Sequence, residues 1–347
     1  MKTVAIKDKK YCELIEKPMP KIDGNYVLLK VHVAPMCNEH IAYQHSVYLE
    51  RNRPDSLGHE MAGEVVQVGP NASVKIGQRV VALCGFPCGE CLPCIQGYYA
   101  HCAANQDPRS KCNSESGECS FAQYAIKADW MLVPIPENMS YEHASMACCG
   151  LGPTFGAMER MRVDAFSTVL ITGLGPVGLG GIITAKFRGA TVIGVAGTPY
   201  RANLAKKLGC DYVLDASQAN LNEKIAELTD DRGVDFALEC SGQPHYQRLV
   251  LDTVGRLGSV CFLSEPGEIV INIDNILIQK GVTLLGSLDI NRKGVDRLLK
   301  MIKAIPEQLN TFITHRFSLE EITKAFELQV SRECGKIIIY PWSDRSA

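Results

Sequence analysis

The chain contains no stretch of 18 uncharged apolar residues, so no membrane-spanning helix is predicted. Its opening, MKTVAIKDKK, has no apolar run after the lysines. No secretory leader is expected, and a cytoplasmic location is. Low-complexity tracts and internal repeats are missing too. Neither sign of charge dominates: 36 Lys and Arg stand against 38 Asp and Glu, for a formal net charge of -2. That balance speaks against a nucleic-acid partner, which usually calls for a basic face or run. What is left is a 347-residue chain, 46% hydrophobic, long enough for two domains with substantial cores. Against these absences stands one excess, 15 cysteines. In a chain of this size without a leader they point to metal ligation or buried thiols, not disulfides.

Most of them are scattered. Cys12, Cys84, Cys112, Cys119, Cys210, Cys240, Cys261 and Cys334 read as small buried hydrophobes. One stretch differs: Cys88-Gly-Glu-Cys91-Leu-Pro-Cys94, then seven residues to Cys102. Two-residue gaps let successive thiolates turn toward one point, and Gly and Pro supply the tight turns. A fourth thiolate closes a tetrahedron, the coordination of structural zinc, which leaves no position for substrate. An iron–sulfur cluster is the competing reading. A second set is dispersed: Cys37 with Glu39 and His40, Gly58-His59-Glu60, and the Cys148-Cys149 pair before Gly150. Two thiolates and an imidazole would make a mixed site with one open position. Spacing alone does not bring these residues together.

Around residue 168 the pattern changes. The β-branched run Thr168–Thr172 leads into Gly173-Leu174-Gly175-Pro176-Val177-Gly178, a helix to about Arg188, and a second strand, Thr191–Val195. A G-x-G-x-x-G between strand and helix places glycine backbone amides against a pyrophosphate at the positive end of a helix. Alternation continues through strands at 212–214, 234–239, 259–263 and 282–285, which predicts a six-stranded, doubly wound parallel sheet. At the tip of the second strand, where a carboxylate would bind the ribose 2′-OH, the chain reads Gly197-Thr198-Pro199-Tyr200-Arg201. A hydroxyl and a guanidinium suit a 2′-phosphate, so NADP is favoured over NAD.

Taken in order, Cys37, Gly58-His59-Glu60, the quartet, Cys149-Gly150, the glycine-rich turn and Cys334-Gly335-Lys336 resemble the zinc-containing medium-chain dehydrogenase/reductase family, of alcohol and sorbitol dehydrogenase type. The resemblance covers essentially the whole chain. It implies a discontinuous GroES-like β-barrel catalytic domain, residues 1–152 with a C-terminal return at 291–347, and a Rossmann domain at 153–290. It further implies that Cys37, His59 and Cys149 bind a catalytic zinc, with Glu60 beside the metal, for two zinc ions per chain. Lys336 is expected near the cofactor pyrophosphate and Thr154 at the nicotinamide end. A homodimer or homotetramer, joined through the strand at 282–285, is the family expectation.

One position departs from the family. Glu39 stands where Ser or Thr is usual and His40 where Asp is common. Glu39 is expected to accept the substrate proton; His40 and His45 could extend a path outward, but as exposed loop histidines they read as bystanders. The polar neighbourhood of Tyr43, Gln44 and His45 suits a polyol, sugar or cyclitol. The expected function is reversible, zinc-dependent, NAD(P)-linked oxidation of such a small-molecule alcohol. Two readings compete with it: reduction of an unsaturated or aromatic aldehyde or iminium, and a non-catalytic zinc- and nucleotide-binding protein.

Overall fold

The computed structural model describes residues 1–45, 55–264 and 267–342. The chain forms two compact units. The first comprises Met1–Gly150, Asn291–Pro306 and Ile313–Ala347; the second comprises Leu151–Ile290 and Glu307–Phe312.

In the first unit, β1 (Lys2–Asp8) and β2 (Tyr11–Glu16) form an antiparallel ribbon. The main sheet is organised by β3 (Tyr26–Met36), whose apolar sequence YVLLKVHVAPM is buried along nearly its whole length. A strand with so few solvent-facing positions must be covered on both faces and paired on both edges. Accordingly β3 pairs antiparallel with β4 (Met61–Val68) and with β6 (Tyr124–Ala128). β4 pairs with β5 (Arg79–Ala82), and β5 with β7 (Leu132–Pro134). These strands enclose an apolar core that includes Val31, Met61, Phe121, Phe326 and Ile337.

The second unit is a parallel sheet. Its strands are β8 (Thr168–Thr172), β9 (Thr191–Ala196), β10 (Tyr212–Asp215), β11 (Val234–Glu239), β12 (Val254–Phe262) and β13 (Thr283–Gly286). They lie in the order β10-β9-β8-β11-β12-β13, the strand order that reverses beside the first strand of a dinucleotide fold. The expected helix after the glycine turn is present at Pro176–Phe187, and helices at Pro199–Lys207 and Leu221–Leu228 continue the alternation. A further helix, Pro244–Thr253, stands between β11 and β12, where the sequence reading named none. β12 starts at Val254, before the expected 259, with a register shift against β11 and a positive φ at Leu257.

The return to the first unit brings the helix Val295–Ala304, β14 (Ile313–Ser318), the helix Ile322–Ser331 and β15 (Lys336–Tyr340). β15 pairs with β14 and, antiparallel, with the far end of β3, where Ile337 faces Met36. Residues 307–312 belong instead to the nucleotide-type unit. Among the described residues no helix is long and apolar enough to cross a membrane.

Candidate functional site

Strand register assembles the dispersed residues. β3 ends at Met36 and delivers Cys37, while the Met36–Ile337 pairing sets Lys336 beside it. His59 and Glu60 immediately precede β4, whose Met61 pairs with Ala82 of β5. Gly58 adopts φ +84, and a side chain there would collide with Ser120 and Phe121, so the turn that presents His59 needs glycine. The last donor comes from the loop after the short helix Tyr141–Ser145. There the Cys148 thiol is buried and directed at the Ala82 carbonyl, 3.5 Å away, while Cys149 faces the other donors. Strand packing thus separates two adjacent cysteines that the sequence alone leaves equivalent.

The thiols of Cys37 and Cys149, a ring nitrogen of His59 and a carboxylate oxygen of Glu60 all lie within 4.8 Å of one another. His59 Nε2 is 3.3 Å from Cys149 Sγ. Its Nδ1 lies 2.9 Å from Glu39 Oε1, while Glu39 Oε2 accepts the Cys37 amide N–H at 2.8 Å. Glu39 is 2% exposed: Oε2 is hydrogen-bonded to the Cys37 amide, while Oε1 lies at ion-pair distance from His59 without completing a hydrogen bond. Burial would raise this carboxyl, but the His59 imidazole and the backbone amides hold it down at about 2. Glu39 opens the short helix Glu39–His45, which Tyr43 anchors by stacking on Phe326 at 4.8 Å.

Lys336 Nζ lies 2.6 Å from Glu60 Oε1, with both side chains fully buried. Burial favours a neutral amine, yet the Glu60 carboxylate and the two nearby thiols raise the Lys336 pKa. Among the described residues, Glu60 Oε2 is buried without a hydrogen-bond partner. An orphaned carboxylate oxygen among two thiols and an imidazole is a donor set suited to a zinc-like cation. Gln329 is a residue the sequence reading missed. Its side-chain amide donates to the Cys37 carbonyl at 3.0 Å and its oxygen accepts from the Cys334 thiol at 3.1 Å. The available signal was a polar residue on the buried stripe Ile322, Ala325, Phe326 and Gln329 of its helix.

The quartet Cys88, Cys91, Cys94 and Cys102 also converges within 4.8 Å. Amide N–H groups point at its sulfurs, from Cys88 and Ala104 to Cys102 and from Cys91 to Cys88. Such donors favour thiolates, and the Cys94 amide leads in drawing the Cys91 thiol down to about 6. This set fits a closed tetrahedral metal. Of the cysteines expected to be buried hydrophobes, six are; Cys84 and Cys240 are instead partly exposed.

In the parallel-sheet unit, Gly173 takes φ +75 with no room for a Cβ beside Ser241, and a Cβ at Gly178 would collide with the Gly173 carbonyl. Gly175 caps the helix that begins at Pro176 and Val177, and no side chain accepts from that helix end. A Cβ at Gly175 would meet only the Arg201 guanidinium, 3.7 Å away. An open glycine turn, uncapped amides and an overhanging guanidinium fit a dinucleotide phosphate. Thr198 caps the next helix by accepting from the Arg201 amide at 3.3 Å, and Tyr200 is half-buried beside it. Thr154 is fully buried, its hydroxyl donating to Leu151 O at 3.1 Å. At the ends of β8 and β11 the buried Glu239 accepts from the Ser241 and Gly242 amides and the Ser241 hydroxyl.

A barrel carrying thiolate and imidazole donors, followed by a parallel-sheet nucleotide fold, defines a class of zinc-using oxidoreductases. The alcohol dehydrogenase GroES-like domain model matches residues 23–137 and the zinc-binding dehydrogenase model residues 176–304. The chain is 33% identical over 339 residues to L-threonine 3-dehydrogenase of Pyrococcus furiosus, covering 94% of each chain. It is 30% identical over 354 residues to sorbitol dehydrogenase of Bacillus subtilis, covering 98% of this chain and 97% of that one. Alcohol dehydrogenase TADH from Thermus sp. ATN1 shares the fold, with a TM-score of 0.87 at 24% identity over 99% of this chain and 100% of that chain. The chain belongs to the zinc-type medium-chain alcohol dehydrogenase family. Membership implies zinc, a nicotinamide cofactor and a small-molecule substrate.

Proposed function

We propose that the protein is a two-zinc, NADP-linked dehydrogenase that reversibly oxidises a secondary or polyhydroxylated alcohol. The observation that carries this reading is the convergence of Cys37, His59, Glu60 and Cys149, apart from a second, all-thiol group. Cys37, His59 and Cys149 would hold the catalytic metal and the quartet the structural one. When bound, zinc supplies Lewis acidity toward a hydroxyl and the nicotinamide accepts hydride.

The chain's own residues hold the donors in place. Glu39 fixes the His59 ring through Nδ1, leaving Nε2 for the metal, and pins the Cys37 backbone from the same side. With Oε2 on the Cys37 amide and Oε1 against His59, Glu39 is read here as a positioning residue in place of the proton carrier first expected of it. Lys336, expected near the pyrophosphate, holds Glu60 by a buried ion pair. Amides around Gly173–Gly178 would receive the pyrophosphate, and Thr198, Tyr200 and Arg201 would flank the adenine ribose, with Arg201 on a 2′-phosphate. The names of the two relatives, threonine and sorbitol dehydrogenases, favour a hydroxylated substrate. An oligomer built through the edge strand β13 accompanies this reading.

The test is a panel of polyols, sugars, cyclitols and simple alcohols run with each nicotinamide cofactor, beside a metal count. Turnover of hydroxylated substrates with NADP and two zinc ions per chain is expected. Equal turnover of long-chain alkanols would reject the substrate class, and a single zinc ion the two-site reading.

A further inference from the structure

Cys84 is neither a member of the thiol quartet nor one of the catalytic donors. Its Sγ nevertheless lies 3.9 Å from Cys149 Sγ. We infer that Cys84 and Cys149 form a redox site, in which a peroxide couples the two thiols and thereby withdraws one ligand from the catalytic metal. The inference rests on the zinc reading above for its second half only.

The backbone holds this pair face to face from both sides. Cys84 follows β5 by two residues, and the Met61–Ala82 pairing carries it to the rim of the donor group. Lys127, 1% exposed, spends its ammonium on the two carbonyls that flank Cys84: Nζ donates to Leu83 O at 3.2 Å and to Gly85 O at 3.0 Å. The Leu83 amide donates to Met131 O at 3.0 Å. A buried cation is stable only where such acceptors meet it, so the peptide around Cys84 has little freedom to withdraw. On the other side, the Cys148 thiol on the Ala82 carbonyl keeps its neighbour Cys149 turned inward.

Access and proximity together select this pair, since Cys37, Cys91 and Cys240 are also partly exposed. Cys84 and Cys149 are both partly exposed, whereas Cys12, Cys112, Cys119, Cys148, Cys210, Cys261 and Cys334 are buried. Cys84 is also not occupied as a ligand in the proposed holoenzyme, whereas Cys37 is. The Cys84 thiolate attacks hydrogen peroxide; an S–O bond forms, the O–O bond breaks, and hydroxide leaves to be protonated to water. Cys149 Sγ then attacks the Cys84 sulfur, an S–S bond forms, and the sulfenic oxygen departs as a second water. Two thiols lose two electrons and two protons, and one peroxide becomes two waters. Cys149 then no longer has a thiolate for the metal, and a site reduced to Cys37 and His59 beside Glu60 releases it.

The test titrates zinc-loaded protein with hydrogen peroxide. Released zinc is read with a chromogenic chelator, and linked cysteines by peptide mass spectrometry. One zinc per chain is expected to leave in step with a Cys84–Cys149 crosslink, and thiol reductant with added zinc should reverse both. In Cys84→Ser, and independently in Cys84→Ala, the crosslink should vanish and the same zinc loss should need roughly tenfold more peroxide. Equal zinc loss in wild type and both variants would overturn the inference. So would a crosslink joining Cys37 to Cys149. Fewer than two zinc ions before peroxide would refute the two-zinc reading instead, while the crosslink would still decide this one.

Discussion

Lys336 and Glu60, 276 residues apart in sequence, meet at 2.6 Å with neither side chain reached by solvent. Breaking such a pair by removing one partner strands a charge in the interior. Lys336→Met is expected to cost about 3 to 5 kcal/mol, because Glu60 is left without its counter-ion. Thermal or denaturant melting measures it. Adding Glu60→Gln to Lys336→Met should restore much of the loss, since no buried charge then remains. Unchanged melting in Lys336→Met would show that the pair is not held dry.

Glu39 is expected to act on the metal and not on the proton. Glu39→Gln keeps the size but loses the negative charge and one acceptor, so either His59 or the Cys37 amide loses its partner. Zinc should leave for a chelator about 10- to 100-fold faster, the usual cost of losing an outer-shell carboxylate. A variant with normal zinc retention but depressed turnover and an altered pH–rate profile would return Glu39 to the proton path.

Arg201 overhangs the glycine turn, and the proposed preference for a 2′-phosphate rests on it. Arg201→Leu should raise the KM for NADP by about 10- to 100-fold while changing that for NAD far less. Steady-state kinetics with both cofactors gives the ratio directly. An unchanged ratio would mean that the guanidinium only solvates the start of its helix.

Acid stability should depend on Glu142. Its carboxylate receives the Arg316 guanidinium at 2.7 and 2.8 Å and the Tyr340 hydroxyl. Burial pulls its pKa upward, but Arg316 and Tyr340 prevail and hold it below the ordinary 4.5. A carboxyl with a lowered folded pKa contributes fully above its unfolded value and loses that contribution as pH falls through the folded one. Melting temperatures compared at pH 7 and in acid below 4.5 should therefore diverge between wild type and Glu142→Gln at pH 7 and converge in acid. Parallel profiles for the two proteins would remove Glu142 from acid unfolding.

What could be read in advance was local. The quartet lies within 15 residues, and the glycine turn joins a strand to its own helix, so short-range geometry determines both. Cys37, His59 and Cys149 could be grouped only by family likeness, because strand register, invisible to periodicity, brings them together. The buried partners of Glu39 and Lys336 were out of reach for the same reason. Each depends on which oxygen or ammonium ends up beside a partner donated by another strand. Gln329 and Lys127 escaped notice because a single polar residue in an apolar stretch looks like a solvent-facing one until its burial is known.

The carbonyl of Cys37 is held by Gln329, 292 positions downstream, and β3 is completed at its end by β15. During synthesis, the donor pocket therefore waits for the segment that carries Gln329 and β15 to clear the ribosome. Until then Cys37, His59 and Cys149 are loose ligands on a chain whose parallel-sheet unit already has all six strands available to fold. On the two-metal reading, loading at Cys37, His59 and Cys149 would accordingly come late, whereas the quartet, complete by Cys102, could take its ion while the parallel-sheet unit is still being made.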